Sequence, residues 1–304
     1  GATMQSSAQL SLGFEEEAYG DDPDPEVRQI AMDGVQFAPE NYTCQPILRG
    51  ADCSGTTNLD DFALDPGNRI DILIKAPAQL GRFHMTHRHR APLPRDERER
   101  IEQRNAMLAA ETATTNPPLL TLEVVDAPNM NMAFPTEAQF PYLPTYLADL
   151  MVEEAPETVI RYEMNNERFD FDAVRFGING REYDPSCAAE AFVLGEPVEW
   201  TLRNNSRVAH PFHIHTNPFQ LISKTEYDDA GSPQVTEYSP PYLWLDTVAT
   251  PVVSNGDTPI DGEAIVRYEA VDFTGEFVNH CHILGHEDRG MMQNVQVMCP
   301  NGMW

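Results

Sequence analysis

His280-Cys281-His282-Ile283-Leu284-Gly285-His286-Glu287-Asp288-Arg289-Gly290-Met291 packs three imidazoles, a thiol and a thioether into one short stretch. If His280-Cys281-His282 ends a β-strand, alternation sends both histidines to one face and Cys281 to the other. The chain then turns, and His286 and Met291 can return to the cysteine side. A second string, His210-Pro211-Phe212-His213-Ile214-His215, offers matching groups. With His210, the cysteine side holds two imidazoles, a thiolate and a thioether, the donor set of a blue-copper electron-transfer site with a weak axial Met. On the opposite face, His213 and His215 join His280 and His282 to make half a cage of imidazoles. Neutral imidazole suits copper, zinc, iron and nickel alike. The shared strand favours copper, because Cys281 and its two neighbours connect the sites without a moving part.

Working outward, the chain is dense in short strands divided by turn signals. Arg28 to Met32 precedes Asp33-Gly34, and Asp65-Pro66-Gly67-Asn68 leads into the alternating run Arg69 to Ile74. Leu119 to Val125 reads as a strand too. Beyond it lie Val159 to Met164, Val174 to Ile178, Val198 to Arg203, Phe219 to Ser223, Ala264 to Ala270, Gly275 to Asn279 and Val295 to Met298. The pattern predicts an all-β protein of sandwiches or barrels. One stretch differs: residues 94–112 are rich in Glu, Arg and Ala with opposite charges at i,i+4, and read as an exposed helical insertion. Residues 128–157, rich in Pro, Met and aromatics, read as a linker. The expected organisation is therefore a first domain over 1–127, that linker, and a second domain over 158–304.

The length of 304 residues suits two domains. Acids outnumber bases 48 to 20, a formal charge of -28, which excludes electrostatic capture of nucleic acid or anionic membrane. No apolar run approaches the ~18 residues of a membrane span. No signal peptide is visible, and Gly1-Ala2-Thr3-Met4 reads as a cloning remnant. The nine histidines fall in three clusters, the remaining one being His84, His87 and His89. That cluster reads as a polar exposed loop or an adventitious metal site, the alternative being copper bridged to a neighbouring chain. Of five cysteines, Cys281 is the natural odd one out. The others could pair as Cys44–Cys53 and Cys187–Cys299, in an oxidising compartment, or stay as free thiols.

The two histidine strings resemble the third and fourth copper-binding motifs of the multicopper oxidases, the family of laccases, bilirubin oxidases and cuprous oxidases. Phe176-Gly177-Ile178-Asn179-Gly180, Gly195-Glu196-Pro197-Val198-Glu199-Trp200 and Trp244-Leu245-Asp246-Thr247-Val248 look like framework segments of that family's last cupredoxin domain. Ile30-Ala31-Met32-Asp33-Gly34-Val35 and Pro66-Gly67-Asn68-Arg69-Ile70-Asp71 are similar to the later part of its copper-free middle domain. The resemblance implies two cupredoxin-like Greek-key domains, the first incomplete. It makes His210, Cys281 and His286 type 1 copper ligands with Met291 axial, His213 a type 2 ligand, and His215, His280 and His282 type 3 ligands. Glu287 matches an acidic position thought to relay protons to oxygen; otherwise it is one more surface acid.

The sequence also departs from the family pattern. The trinuclear cluster of the family takes eight histidines, and this chain supplies four of them. The expectation is the back portion of an oxidase, completed by a missing N-terminal domain or a neighbouring chain. The implied reaction is one-electron oxidation of phenolic, amine-type or metal-ion donors coupled to reduction of O2 to water, in the periplasm or outside the cell. The twelve methionines are dispersed, which favours a laccase-like reading over a dedicated cuprous oxidase. A second reading is a type 1 copper electron-transfer module without oxidase activity. A third, a mononuclear zinc or iron protein, has no use for Cys281 and Met291 at those offsets.

Overall fold

The computed structural model describes residues 9–16, 25–44, 63–77, 80–90, 119–126, 132–152, 158–165, 175–206, 208–228, 230–254 and 260–300. Its N-terminal strands are β1 (Gln9–Glu16), β2 (Glu26–Met32), β3 (Val35–Gln36), β4 (Ala63–Leu64), β5 (Ile70–Lys75), β6 (Gly81–Arg90) and β7 (Leu120–Val124). They form one sheet ordered β4-β1-β6-β7 and another ordered β3-β2-β5. A short helix, α1 (Pro39–Cys44), follows β3.

The C-terminal strands begin with β8 (Thr158–Asn165), β9 (Arg175–Ile178), β10 (Ala188–Val193), β11 (Val198–Asn204), β12 (His210–Ile214) and β13 (Phe219–Tyr227). They continue with β14 (Pro233–Glu237), β15 (Trp244–Leu245), β16 (Thr247–Thr250), β17 (Gly262–Tyr268), β18 (Gly275–Cys281) and β19 (Met292–Met298). A one-turn helix, α2 (Leu284–Glu287), lies between the last two. One sheet runs β10-β19-β18-β12-β16 and the other β14-β13-β17-β11-β8-β9, with β15 beside β13. Most pairings are antiparallel, but β10 with β19 and β11 with β8 are parallel, as crossovers between two sheets require.

Strand alternation builds the core. Along β17, Ala264, Val266 and Tyr268 are buried while Glu263, Ile265 and Arg267 are only partly so, a period of two. Trp200 and Leu202 of β11, Phe212 and Ile214 of β12, and Val295 and Val297 of β19 join one cluster drawn from both sheets. Trp200 stacks on Tyr268 with ring centroids 5.3 Å apart, and Phe192 meets both edge-on. The fold is all-β and cupredoxin-like, with the core between two sheets.

The segment 132–152 is tied to elements on either side of it in the sequence. The Tyr42 hydroxyl donates to the Pro135 carbonyl (2.7 Å) and its ring stacks on Phe140 at 4.2 Å. At the other end, Trp244 Nε1 donates to the Leu147 carbonyl (2.9 Å), and Asp149 accepts from Gln220 and from the Tyr242 amide.

Two expectations are corrected. His84, His87 and His89 lie on β6, not in a loop: backbone pairing to β1 and, in its first half, to β7 holds the run extended. His84 donates to or accepts from the Thr121 hydroxyl at 2.9 Å across that ladder. Cys187 and Cys299 are free thiols. The reason is register: β10 and β19 run parallel with Ala188 opposite Asn294 and Val193 opposite Met298. Cys187 therefore precedes the start of this pair and Cys299 follows its end, separated by roughly six residues of strand at ~3.3 Å each. That is beyond the reach of a disulfide. The expected helix over 94–112 and the Cys44–Cys53 pairing, through Cys53, lie outside the described residues.

Candidate copper centre

The site is set by the register of β12 against β18. Phe212 stands opposite Cys281, His213 opposite His280 and Ile214 opposite Asn279. The ladder continues past the strand ends, with the His282 amide donating to the Pro211 carbonyl (2.8 Å) and the His215 amide to that of Val278 (3.1 Å). Because side chains alternate, His210 shares a face with Cys281, while His213 and His215 share the other with His280 and His282.

On the cysteine face, His210 Nδ1 lies 3.6 Å and His286 Nδ1 3.7 Å from Cys281 Sγ, and the two nitrogens are 3.2 Å apart. These three donor atoms form a compact group that could hold one metal ion. His210 and Cys281 are wholly buried, as is Met291. The segment bearing the donors closes on itself: the Cys281 amide donates to the Met291 carbonyl and the Met291 amide to that of His286, both 3.0 Å. Gly290, at φ +106°, permits this return, since a Cβ there would press on Glu182 Cβ and the Phe176 carbonyl at 3.1 and 3.2 Å. Phe176 also stacks on His286, centroids 4.2 Å apart.

Hydrogen bonds choose the ring tautomers. His210 Nε2 lies 2.8 Å from Ser206 Oγ, whose own proton has the Val208 carbonyl and Asn204 Oδ1 as acceptors, each 2.9 Å away. Ser206 thus accepts from Nε2–H and leaves His210 Nδ1 with its lone pair toward Cys281. Burial pushes His210 down to about 3, with His286 adding to the shift, and burial brings His286 to about 4. Both imidazoles are neutral at neutral pH. Burial pushes the Cys281 thiol up to about 12, so without a bound cation it keeps its proton.

On the opposite face, His215 Nε2 and His280 Nε2 are 3.2 Å apart. His213, His215 and His280 present donor atoms within 4.8 Å of one another. The His282 ring centroid stands 5.1 Å from that of His213 and 5.6 Å from that of His280. His280 Nδ1 faces the Cys281 carbonyl (3.1 Å) and Glu287 Oε2 (3.2 Å), acceptors that direct its Nε2 into the group. Burial, and Asp288 next, raise the Glu287 carboxyl above the ordinary range. His213 Nδ1 donates toward the Asp246 carbonyl (3.0 Å) and Thr247 Oγ1 (2.9 Å). Burial alone would raise Asp246, but hydrogen bonds from His213, Arg69 and Thr247 outweigh it and hold the carboxyl at about 2.

Of the residues selected from the sequence, His210, Cys281 and His286 form the first group, and His213, His215 and His280 the second, with the His282 ring next to it. Glu287 lies beside His280, and Met291 is buried at the end of the returning segment. The motifs did not reveal Ser206, Asp246 or Thr247 as orienting partners. A serine four residues before His210, and an Asp-Thr pair ahead of a buried strand, carry no signal until β16 is placed beside β12.

The donor chemistry fits copper. One face offers the soft sulfur of Cys281 with two imidazoles, on a segment that ends at the buried Met291, and the other offers imidazoles alone. Residues 152–300 match the family model described as multicopper oxidase. A laccase of Bacillus subtilis is 30% identical over 127 residues, covering 40% of this chain and 24% of the laccase. A laccase of Haloferax volcanii is 33% identical over 115 residues, 38% of this chain and 18% of that protein. Among solved structures, a multicopper oxidase from Campylobacter jejuni described as a metallo-oxidase superposes with a TM-score of 0.58 at 23% identity, covering 96% of this chain and 51% of that one. A multicopper oxidase from Pediococcus acidilactici gives 0.58 at 21% identity, covering 98% and 48%. The chain spans about half the length of these structures, and the sequence matches span about a quarter or less of the curated relatives. Residues 152–300, just under half of the chain, are the part that matches the multicopper oxidase family, and the curated relatives point to the same family.

Proposed function

We propose that the chain is the copper-binding back portion of a laccase-like oxidase, with His210, Cys281 and His286 holding a type 1 copper and Met291 its axial donor. His213, with His215, His280 and His282, would supply type 2 and type 3 ligands. The observation that carries this reading is the division of labour on β18, where Cys281 belongs to one donor group and its neighbour His280 to the other. Copper, when bound, supplies one-electron redox chemistry at the first group and oxygen reduction at the second.

The chain's own residues define the rest. An aromatic or metal-ion donor would deliver its electron at the partly exposed His286 edge. Cys281 then offers the covalent route, since its backbone joins both His280 and His282. Glu287 Oε2, beside His280 Nδ1, is placed to hold a proton for oxygen reduction, which consumes four per O2. The organisation into parts at 1–127 and 158–304 around a linker, and a periplasmic or extracellular setting, belong to the same proposal. No helix among the described residues is long and apolar enough to cross a membrane.

A second reading, a type 1 electron-transfer module, is favoured by one observation: among the described residues the second group has four imidazoles, half the number the family's cluster takes. Copper loading separates the two. The intense thiolate-to-copper visible band should appear in both cases. Oxygen uptake with a phenolic donor, once a further segment or a neighbouring chain supplies the remaining imidazoles, supports the oxidase. The band without uptake under those conditions leaves an electron carrier, and absence of the band refutes both.

A further inference from the structure

The imidazole face is held from behind by a turn far away in sequence. Gly67, at φ +96°, lies so close to His282 that a Cβ there would be 2.8 Å from Cδ2 of the ring and 3.1 Å from Thr247 Cγ2. Next to it, buried Asn68 donates to the Thr247 carbonyl at 3.0 Å. Arg69 grips Asp246 with both guanidinium nitrogens, Nη1 to Oδ1 at 2.8 Å and Nη2 to Oδ2 at 2.6 Å. This bidentate geometry is specific to arginine. Asp33, its side chain fully buried, completes the clamp. Its Oδ2 accepts the amides of Asp246 and Thr247 at 3.2 Å each, and its Oδ1 accepts the Arg69 amide at 2.9 Å.

What the clamp fixes is the set of acceptors around His213 Nδ1, which are the Asp246 carbonyl, Thr247 Oγ1 and, at 3.4 Å, Asp246 Oδ1. The Asp246 carbonyl can only accept, so the ring nitrogen 3.0 Å from it carries the proton. Thr247 Oγ1 donates to Asp246 Oδ1 (2.8 Å), which leaves its lone pair for the same N–H. The proton is thereby kept on Nδ1, and the Nε2 lone pair is the free one. The same peptide holds the strand, since the Ile214 amide donates to the Asp246 carbonyl at 3.0 Å.

We propose that Arg69, together with Asp33 and the Gly67 turn, is a positioning element for the imidazole group: it sets the tautomer and direction of His213 through Asp246 and Thr247 and backs the His282 ring. The metal affinity of residues in one half of the chain then depends on an arginine in the other. The affinity part rests on the copper reading above; the tautomer part does not.

The test uses the full chain, metal-free and then titrated with Cu(II). Long-range nitrogen–proton NMR of the metal-free protein should show His213 as a single Nδ1–H tautomer. In Arg69→Ala the ring should populate both tautomers, and Arg69→Lys, which can hold one carboxylate oxygen but not fork across two, should fall between. Cu(II) binding at the imidazole group, followed by electron paramagnetic resonance, should weaken about 10- to 100-fold in Arg69→Ala, as for loss of partners that orient a metal ligand. The thiolate-to-copper band of the Cys281 group should not change. An unaltered tautomer and affinity in folded Arg69→Ala overturns the proposal. If that variant does not fold, Arg69→Lys decides: a His213 spectrum identical to that of the parent overturns it. If the parent binds no Cu(II) at the imidazoles, the copper reading of that group fails, and the tautomer experiment still decides the positioning role.

Discussion

His280 and Cys281 are sequence neighbours whose reactive atoms serve separate groups: Cys281 Sγ sits 3.6 Å from His210 Nδ1, and His280 Nε2 sits 3.2 Å from His215 Nε2. Alternation along a strand accounts for this without strain. It also makes the two groups separable by mutation. Cys281→Ser should abolish the thiolate-to-copper band while leaving Cu(II) binding at the imidazoles within about threefold of the parent, because His280 keeps its backbone position and its Nδ1 acceptors. Absorption and electron paramagnetic resonance of the copper-titrated variant check both halves of the expectation.

Ser206 is the acceptor that orients His210, and the His210 ring is fully buried. Ser206→Ala removes the hydroxyl acceptor 2.8 Å from the buried Nε2, a loss of about 1–3 kcal/mol. Urea unfolding of the metal-free protein should register it. In the copper-loaded protein the visible band should shift and the reduction potential move, since the ligand loses the bond that tunes its basicity. An unmoved potential would mean that Ser206 only packs.

Glu287 and the Cys281 carbonyl both take the proton on His280 Nδ1. Glu287→Gln keeps an oxygen acceptor there, whereas Glu287→Leu does not. Cu(II) affinity of the imidazole group should therefore be near that of the parent in the first variant and about tenfold weaker in the second. Equal affinities in the two would show that the carbonyl orients His280 alone.

Glu190, on β10, provides the pH test. Burial pushes its carboxyl from 4.5 up to about 7, against a smaller opposing pull from Gln293. A carboxyl with a higher pKa folded than unfolded binds its proton more tightly in the folded state. Its contribution is complete below the unfolded value and is lost as pH rises through about 7. Glu190→Gln removes that loss. The variant should be more stable than the parent at about pH 8, by on the order of 2 kcal/mol, with the difference shrinking toward about pH 4. Denaturant unfolding across that range measures it; a pH-independent difference would contradict it.

The ligand strings were legible because strand alternation is local: three residues, His280-Cys281-His282, already state which side chains part company. Strands such as Val198 to Arg203 and Gly275 to Asn279 were legible for the same reason and lie within β11 and β18. Partners joined only by folding were not. Arg69 and Asp246 stand 177 residues apart, each inside a recognisable framework segment, yet neither segment encodes their contact. Strand β6 was misread because its histidines and arginines look like loop composition, whereas its partners β1 and β7 supply the ladder that makes it extended. The Cys187–Cys299 pairing failed because chain proximity to domain ends says nothing about the direction in which two strands run.

The self-closing segment from Cys281 to Met291 has an evolutionary consequence. Three of the four proposed type 1 donors sit on a ring of backbone whose ends are bonded to each other, and a single imidazole arrives from outside it. The spacing of those three donors is therefore set within the segment, and hairpins such as the one at Asp228–Ser232 can lengthen without touching it, while His210 still depends on the register of β12 against β18. One residue added between His282 and Gly290 would break the ring. The segment behaves as a portable cassette, and a foreign two-sheet scaffold with a histidine opposite its docking strand has most of what it needs to accept it.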